Sequence, residues 1–370
     1  MSGEQEIESL YAVARAGDVP GFQHGVPALW TAIEGVTGAE AAGILDRLTG
    51  LFGLVPRLAS AHLAIVCGAL VEKGAPAGAF PAIVADALAD VLAGATAFVA
   101  AWRRPLPDVD GDQRQYDAAV AVLTHSGRWP WQRGLSPDRA AELAGSWFAL
   151  HDWRVPASAL LHSGGIRAGF PRRAELLTLV RGLRAHRDDL RELYDMLAVL
   201  DGETVTVLHR EQRRGYRVRI TGVADNFQLY TLLADTLIGD PASGLLDGEN
   251  PEPDWVYAAT TGPCELPVRI EARFQITDGD GMYVPLEGRP SDIPPFRGRR
   301  LLVLDRPSPG RSWDVGRRHD GTDARITVEE ILDQAGTDRL LHQVAGRIHT
   351  GETHSHIHLG LRAGVVEVTG

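Results

Sequence analysis

The spacing of apolar residues changes once along this chain of 370 residues, near residue 202, and this change constrains the fold more than any other feature. Before residue 202, apolar side chains recur at intervals of three and four, which is the period of an amphipathic helix. After it, apolar and polar side chains alternate, which is the period of a strand with one buried face. We therefore predict two parts, a helical part at 1–200 and a sheet-containing part at 201–370.

The clearest helical pattern is FPAIVADALADVLAGATAFVAAW at 80–102, and we expect this segment to be the central helix of a bundle. Ser136 and Pro137 mark another helix start, because serine caps free amides and proline fits the first turn. Further helices are predicted at 4–16, 26–35, 38–52, 56–73, 113–124, 137–151, 156–163, 171–186 and 188–200.

Strands dominate the second part. ETVTVLH at 203–209 and YRVRITGV at 216–223 predict a hairpin, ELPVRIEARFQI at 265–276 predicts one strand, and RRLLVLD at 299–305 predicts an interior strand. A helix is expected at 225–239, where Asp225 and Gln228 have the spacing of an N-terminal cap. Thr327 and Glu330 form a second capping box, which predicts a helix after it, and a last helix is expected at 337–346. The expected fold class is two-domain α+β, with an all-α helical bundle followed by a mixed α/β sheet domain.

The net charge of −11 argues against a general nucleic-acid or anionic-membrane binder, because the field of the protein would repel both. The region 75–102 is the most apolar, but Pro81, Asp86 and Asp90 interrupt it, so we predict no membrane span. The acidic start MSGEQEIESL predicts no secretory signal, and Cys67 and Cys264 are expected to be free thiols. A cytoplasmic protein is predicted, and its near-exclusive use of arginine over lysine suggests a GC-rich bacterial genome.

Several familiar catalytic motifs are absent from the sequence. It contains no G-x-x-x-x-G-K-[ST] phosphate loop, no G-x-G-x-x-G between a strand and a helix, and no G-x-S-x-G nucleophile turn. The segment DVDGD at 108–112 begins like a calcium loop, but Gln113 and Ala119 stand where that loop needs glycine and glutamate. These reaction classes are therefore disfavoured.

A histidine-rich segment, HTGETHSHIHLG at 349–360, could bind a metal ion such as zinc or iron. In an extended strand His354, His356 and His358 share a face, and neighbours lie about 6.6–6.8 Å apart, so one pair can converge on one ion. His349, on a folded-back arm, would be a third ligand, and Asp320 beside His319 is another candidate. The alternative is a solvated edge strand with no metal.

Two other features carry charge. Arg217 and Arg219 lie on one predicted strand and Arg269 and Arg273 on another, so an anion-binding surface would form if those strands were neighbours. A solvated, partly paired face is the alternative.

The loop-rich segment 286–323 flanks the apolar strand on both sides, and loops at strand ends often carry ligand sites. Its candidates for a ligand site are Trp313, Arg317, His319 and Asp320. The alternative is an irregular segment that wraps the sheet, with Trp313 in the core.

These features favour an accessory or interaction protein of unknown pathway. The helical half would dock a protein partner, and the α/β half would bind a partner or an anionic ligand. The alternative is a metal-dependent enzyme, a hydrolase or an oxygenase, that uses the histidine-rich segment.

Overall fold

The protein has an α+β fold in which a helical half precedes a sheet-containing half. The computed structural model describes residues 3–102, 104–108, 111, 113–125 and 134–346. The helical half contains α1 (Gly3–Arg15), α2 (Val19–Ile33), α3 (Gly38–Thr49), α4 (Ala61–Glu72), α5 (Phe80–Ala101), α6 (Gln113–Thr124), α7 (Pro137–His162), α8 (Gly164–Arg167), α9 (Arg173–Leu183) and α10 (Arg191–Ala198).

The second half begins with the hairpin β1 (Leu200–His209) and β2 (Arg214–Val223). It continues with α11 (Asn226–Leu237), α12 (Pro253–Thr260), β3 (Glu265–Glu271), β4 (Gln275–Asp278), β5 (Pro295–Phe296), β6 (Arg299–Asp305), β7 (Ser312–Val315), β8 (Arg325–Ile331) and α13 (Gln334–Leu341). The main sheet has the order β4-β6-β1-β2-β8, with β5 also paired to β6, and β3 pairs with β7 in a separate sheet. Only the β1–β6 pair is parallel among the described strand pairs.

The central helix of the bundle is α5, as the sequence predicts, and it packs against α7 and α9. Close approach of α5 to α7 depends on Gly94, since a Cβ atom there would lie 2.2 Å from the Ser146 hydroxyl oxygen. The predicted break between 151 and 156 is wrong, because α7 continues through Pro156. Pro156 packs against Gly68 of α4, where an added Cβ would lie 3.2 Å from the proline Cα, so tertiary packing compensates for the lost helical hydrogen bond.

The expectation that 75–102 contains no stretch fit to span a bilayer was also wrong. Pro81 lies in the first turn of α5, so the helix is continuous over 22 residues and is long and apolar enough to cross a membrane. Half of its apolar stretch is buried by the rest of the protein. The same burial is typical of a core helix in a water-soluble protein.

The main sheet confirms the β1–β2 hairpin and the interior position of β6. Residues 265–276 do not form one strand, because β3 ends at Glu271 and β4 joins the other sheet. The capping box expected at Thr327 is wrong as well. Residues Arg325–Ile331 form the edge strand β8, in which Ile326 pairs with Ile220 of β2, so sheet pairing overrides the local helix signal.

Each half has its own apolar core, and a buried polar network joins them. The Arg167 guanidinium, which is fully buried, donates to both carboxylate oxygens of Asp201 and to the Thr322 carbonyl oxygen. Arg173 donates to the same carboxylate at 3.1 Å. The network ties the end of the bundle to β1 and to the loop before β8, and it fixes the position of the site described next.

Candidate functional site

A cleft of about 740 Å³ opens between the two halves. One wall consists of the end of α9, the α9–α10 link and α10, and the other consists of the loops at residue 289 and at 318–319. Its lining contains six arginines, two aspartates and one histidine beside Ala185 and Tyr194: Arg181, Arg184, Arg187, Arg191, Arg289, Arg318, Asp188, Asp195 and His319. Positive charge therefore predominates in the cleft.

The helical wall is held in place by Arg187, whose side chain is buried. Its Nε and Nη2 atoms donate to the two oxygens of Asp189 at 2.8 Å, and Nη1 donates to the Trp147 carbonyl oxygen at 2.7 Å. Burial alone would raise the pKa of Asp189, but the hydrogen bonds from Arg187 and the neighbouring positive charges lower it. This clamp fixes the link whose two ends carry Arg184 and Arg191.

The opposite wall is anchored by Asp225, the N-cap of α11. Its Oδ1 atom accepts from the Gln228 amide at 3.0 Å and its Oδ2 atom from the Arg318 amide at 2.7 Å. Burial raises the pKa of this carboxyl group against the effect of those hydrogen bonds. Arg317 is also buried and donates to the Ala258 carbonyl oxygen, so the loop is fixed on both sides of its backbone while the Arg318 side chain remains exposed.

Asp195 of α10 connects the two walls. Its Oδ1 atom accepts from Arg289 Nε at 2.6 Å, and its Oδ2 atom lies 3.1 Å from His319 Nε2. Burial would raise the pKa of Asp195, but the hydrogen bond from His319 and the charge and hydrogen bond of Arg289 lower it overall. An ionised carboxylate only accepts hydrogen bonds, so His319 presents a protonated Nε2 to it.

Three guanidinium groups lie around the ring of Tyr194. The central carbon of Arg184 lies 4.5 Å from the centre of the tyrosine ring, that of Arg289 lies 4.9 Å away and that of Arg181 lies 5.9 Å away. Cation–π attraction offsets part of the repulsion between these like charges. The ring itself is only 2% exposed.

Four of the arginines in the cleft lack an anionic partner. Within the described part of the chain, Arg181, Arg184, Arg191 and Arg318 make no ion pair and no side-chain hydrogen bond. Arg191 also opens α10, where the positive end of the helix dipole disfavours a cation. Such a cluster is unfavourable on its own, and a bound anion with charge-assisted hydrogen bonds would relieve the repulsion.

The chain was compared with protein-family models, curated proteins and solved structures. None of them matches it. The function is therefore inferred from the residues of the cleft itself.

Of the four loop residues that the sequence indicated, the structure places only His319 in the lining of the cleft. Arg317 and Asp320 pair with each other at 2.7 Å beside it, and Asp320 also accepts from the Cys264 thiol at 3.0 Å. Trp313 is a core residue, with its ring edge-to-face against Tyr230 at 5.8 Å. As predicted, Cys67 and Cys264 are free thiols.

The four arginines do not lie on neighbouring strands, because β2 and β3 belong to different sheets and Arg273 follows the end of β3. Arg217 pairs with Glu330 and Arg219 with Glu329, both across the edge of the main sheet. Arg269 pairs with Asp314 at 3.2 Å. Arg273 lies over the Trp255 ring and pairs with Glu249 and Glu271. Each of the four already faces a carboxylate.

The metal hypothesis depends on residues outside the described part of the chain. His349, His354, His356 and His358 all lie there. Among the residues that the structure does describe, no group of three or more histidine, cysteine, aspartate or glutamate side chains could hold a metal ion. Metal binding by the histidine-rich segment stays a prediction.

Sequence reasoning missed the arginines of the helical wall, although a signal was present. In LVRGLRAHRDDLRELYD, arginines recur at 181, 184, 187 and 191, which is close to the spacing of one helical face. Arg289 and Asp195 carried no comparable local signal, because they meet only through the tertiary fold.

Proposed function

We propose that this protein is an accessory protein that binds a small anionic ligand in the cleft between its two halves. The observation that carries the proposal is the convergence of four guanidinium groups without anionic partners, three from the helical wall and one from the opposite loop. Guanidinium groups bind phosphate and carboxylate groups through paired N–H donors.

The charge of the whole protein supports a specific site. With a net charge of −11, the surface as a whole repels anions, so a cleft rich in arginine is a local exception. Low-dielectric walls focus the field of such a cleft and raise the local concentration of a matching ligand. A general polyanion binder would instead carry an extended basic face.

Hydrogen bonds hold the backbone of both walls of the cleft, which favours selective binding. Arg187 fixes the helical wall and Asp225 fixes the opposite loop, so little ordering is needed when a ligand binds. The docking of a protein partner on the helical half and a cytoplasmic location stay predictions from the sequence.

The test is thermal unfolding of the full chain with phosphate, pyrophosphate, sulfate or citrate, each compared with sodium chloride at equal ionic strength. A ligand at 100 times its Kd stabilises the folded state by about 2.7 kcal/mol. We expect at least one of these anions to raise the unfolding temperature above the chloride control.

Two matched double variants distinguish an effect of the cleft from an effect of net charge. Arg184→Glu with Arg318→Glu should abolish the stabilisation by anions. Arg15→Glu with Arg325→Glu makes the same change of charge at exposed arginines outside the cleft and should retain it. Stabilisation that is absent from the wild type, or equal in both double variants, would overturn the proposal.

A further inference from the structure

The dimensions and charges of the cleft also restrict the chemical class of its ligand, and this step rests on the proposed function. The volume of about 740 Å³ lies within the range of small-molecule sites, roughly 300–1,000 Å³. Since a water molecule takes about 30 Å³ in the liquid, one inorganic phosphate would leave most of the cleft to solvent. The cleft fits a larger molecule.

Cationic groups stand on both walls. Arg181, Arg184 and Arg191 belong to the helical wall, whereas Arg318 belongs to the loop of the opposite half. Of the two lining aspartates, Asp195 already pairs with Arg289 and His319, so only Asp188 offsets the charge of these four arginines from within the cleft. A ligand with two anionic groups can offer charge-assisted hydrogen bonds to the arginines of both walls at once.

Phosphoryl groups match this charge better than carboxylates do. A phosphate monoester carries about −1.5 to −2 charges and three acceptor oxygens, against one charge and two oxygens for a carboxylate. Two phosphoryl groups therefore match the combined charge of the four unpaired guanidiniums and Asp188. The other two lining arginines, Arg187 and Arg289, already pair with aspartates.

The scaffold between the phosphoryl groups should be polar and free of aromatic rings. Tyr194 and His319 carry the only aromatic rings of the lining in the described part of the chain, and the His319 ring is held by Asp195. The Tyr194 ring is 2% exposed and lies under the Arg184 and Arg289 guanidiniums, so it offers no face to a nucleobase. Ala185 is the only aliphatic lining residue among those described.

The geometry points to a compact bisphosphate, with two phosphoryl groups on a polar non-aromatic scaffold, as the ligand that bridges the helical wall and the α/β wall. Arg191 binds one phosphoryl group with its neighbours on the helical wall. Arg318 binds the other phosphoryl group. The ligand thereby holds the two halves together at the cleft.

Isothermal titration calorimetry of the full chain tests this inference with three probes: fructose 1,6-bisphosphate, fructose 6-phosphate and citrate, at equal ionic strength. We expect the bisphosphate to bind at least tenfold more tightly than the monophosphate or citrate. Equal affinities for bisphosphate and monophosphate, or tighter binding of citrate, would overturn the bisphosphate class while leaving an anion site. Absence of binding by all three, together with no stabilisation by simple anions, would overturn the proposed function itself.

Two variants test the bridge. Arg191→Gln and Arg318→Gln should each weaken bisphosphate binding at least tenfold, because each removes contacts to a different phosphoryl group. Monophosphate binding should respond to only one of the two substitutions. If bisphosphate binding also depends on one wall alone, the ligand does not bridge the halves. Circular dichroism spectra that match the wild type show that both variants are folded.

Discussion

His319 Nε2 lies 3.1 Å from Asp195 Oδ2, although the two residues are 124 positions apart in the chain. Asp195 belongs to α10 of the helical half, and His319 belongs to the loop between β7 and β8. Arg289 donates to the other oxygen of the same carboxylate. One side chain of the bundle therefore holds both loops that form the α/β wall of the cleft.

The first prediction concerns this contact. Asp195→Asn should lower the free energy of unfolding by about 2–3 kcal/mol near pH 7, because it removes a charge-assisted acceptor from two partners. The folded-state pKa of Asp195 is lowered, so its stabilisation is present above the unfolded value of 3.8 and is lost as the pH falls through the folded pKa. Urea unfolding of both proteins at several pH values between about 5 and about 3 measures the difference. A difference that grows as the pH falls across this range would contradict this assignment.

The second prediction concerns the buried network between the halves. The Asp201 side chain is 1% exposed, and Arg167 is fully buried against it. Asp201→Asn leaves that guanidinium without its counter-charge and should cost about 3–5 kcal/mol. The control is Glu330→Gln, which breaks the exposed pair with Arg217 and should cost at most about 1 kcal/mol. Denaturant unfolding measures both losses. Similar losses of unfolding free energy in Asp201→Asn and Glu330→Gln would show that the buried network does not stabilise the contact between the two halves.

The third prediction compares two glycines with nearly the same backbone conformation. Gly222 has φ +69° and Gly310 has φ +70°. A Cβ atom at Gly222 would lie 2.0 Å from the Thr322 carbonyl oxygen, whereas one at Gly310 meets nothing within 4 Å. Gly310→Ala should therefore cost on the order of 1 kcal/mol from the left-handed backbone alone. Gly222→Ala should lower the free energy of unfolding distinctly more, as measured by thermal unfolding. Equal losses in the two variants would contradict the close approach of β2 to the loop that contains Thr322.

The fourth prediction concerns the clamp of the helical wall. Arg187→Lys keeps the charge but cannot donate to both Asp189 oxygens and to the Trp147 carbonyl oxygen in the planar geometry of a guanidinium. We expect it to weaken pyrophosphate binding several-fold, because the link between Arg184 and Arg191 loses its fixed position. Arg154→Lys is the control, since Arg154 Nε lies 3.2 Å from Asp189 Oδ2 and Arg154 lies outside the cleft lining. Equal binding by the wild type and Arg187→Lys in calorimetry would contradict the role of the clamp.

Local patterns predicted the elements that local forces decide. The apolar spacing identified α5, and Asp225 with Gln228 identified the start of α11, where the carboxylate caps the Gln228 amide at 3.0 Å. The alternation of β1 and β2 identified their hairpin. In each case side-chain periodicity and the native contacts agree.

Predictions failed where distant segments decide the structure. Thr327 and Glu330 have the spacing of a capping box, yet pairing with β2 makes them part of a strand. The sequence predicts two helices, at 137–151 and 156–163, yet α7 is continuous through Pro156, which packs against Gly68. The cleft is the extreme case, because Arg191 and Arg318 carry no sequence signal that relates them and meet only when both halves are folded.

The most direct measurement is X-ray diffraction, at the selenium absorption edge, from crystals of the unlabelled protein soaked in selenate, a tetrahedral dianion. An anion site in the cleft predicts an anomalous peak between the two walls, with selenate oxygens about 2.7–3.2 Å from guanidinium nitrogens of Arg191 or Arg318. Peaks confined to arginines outside the cleft, such as Arg15 or Arg325, with none in the cleft, would contradict it.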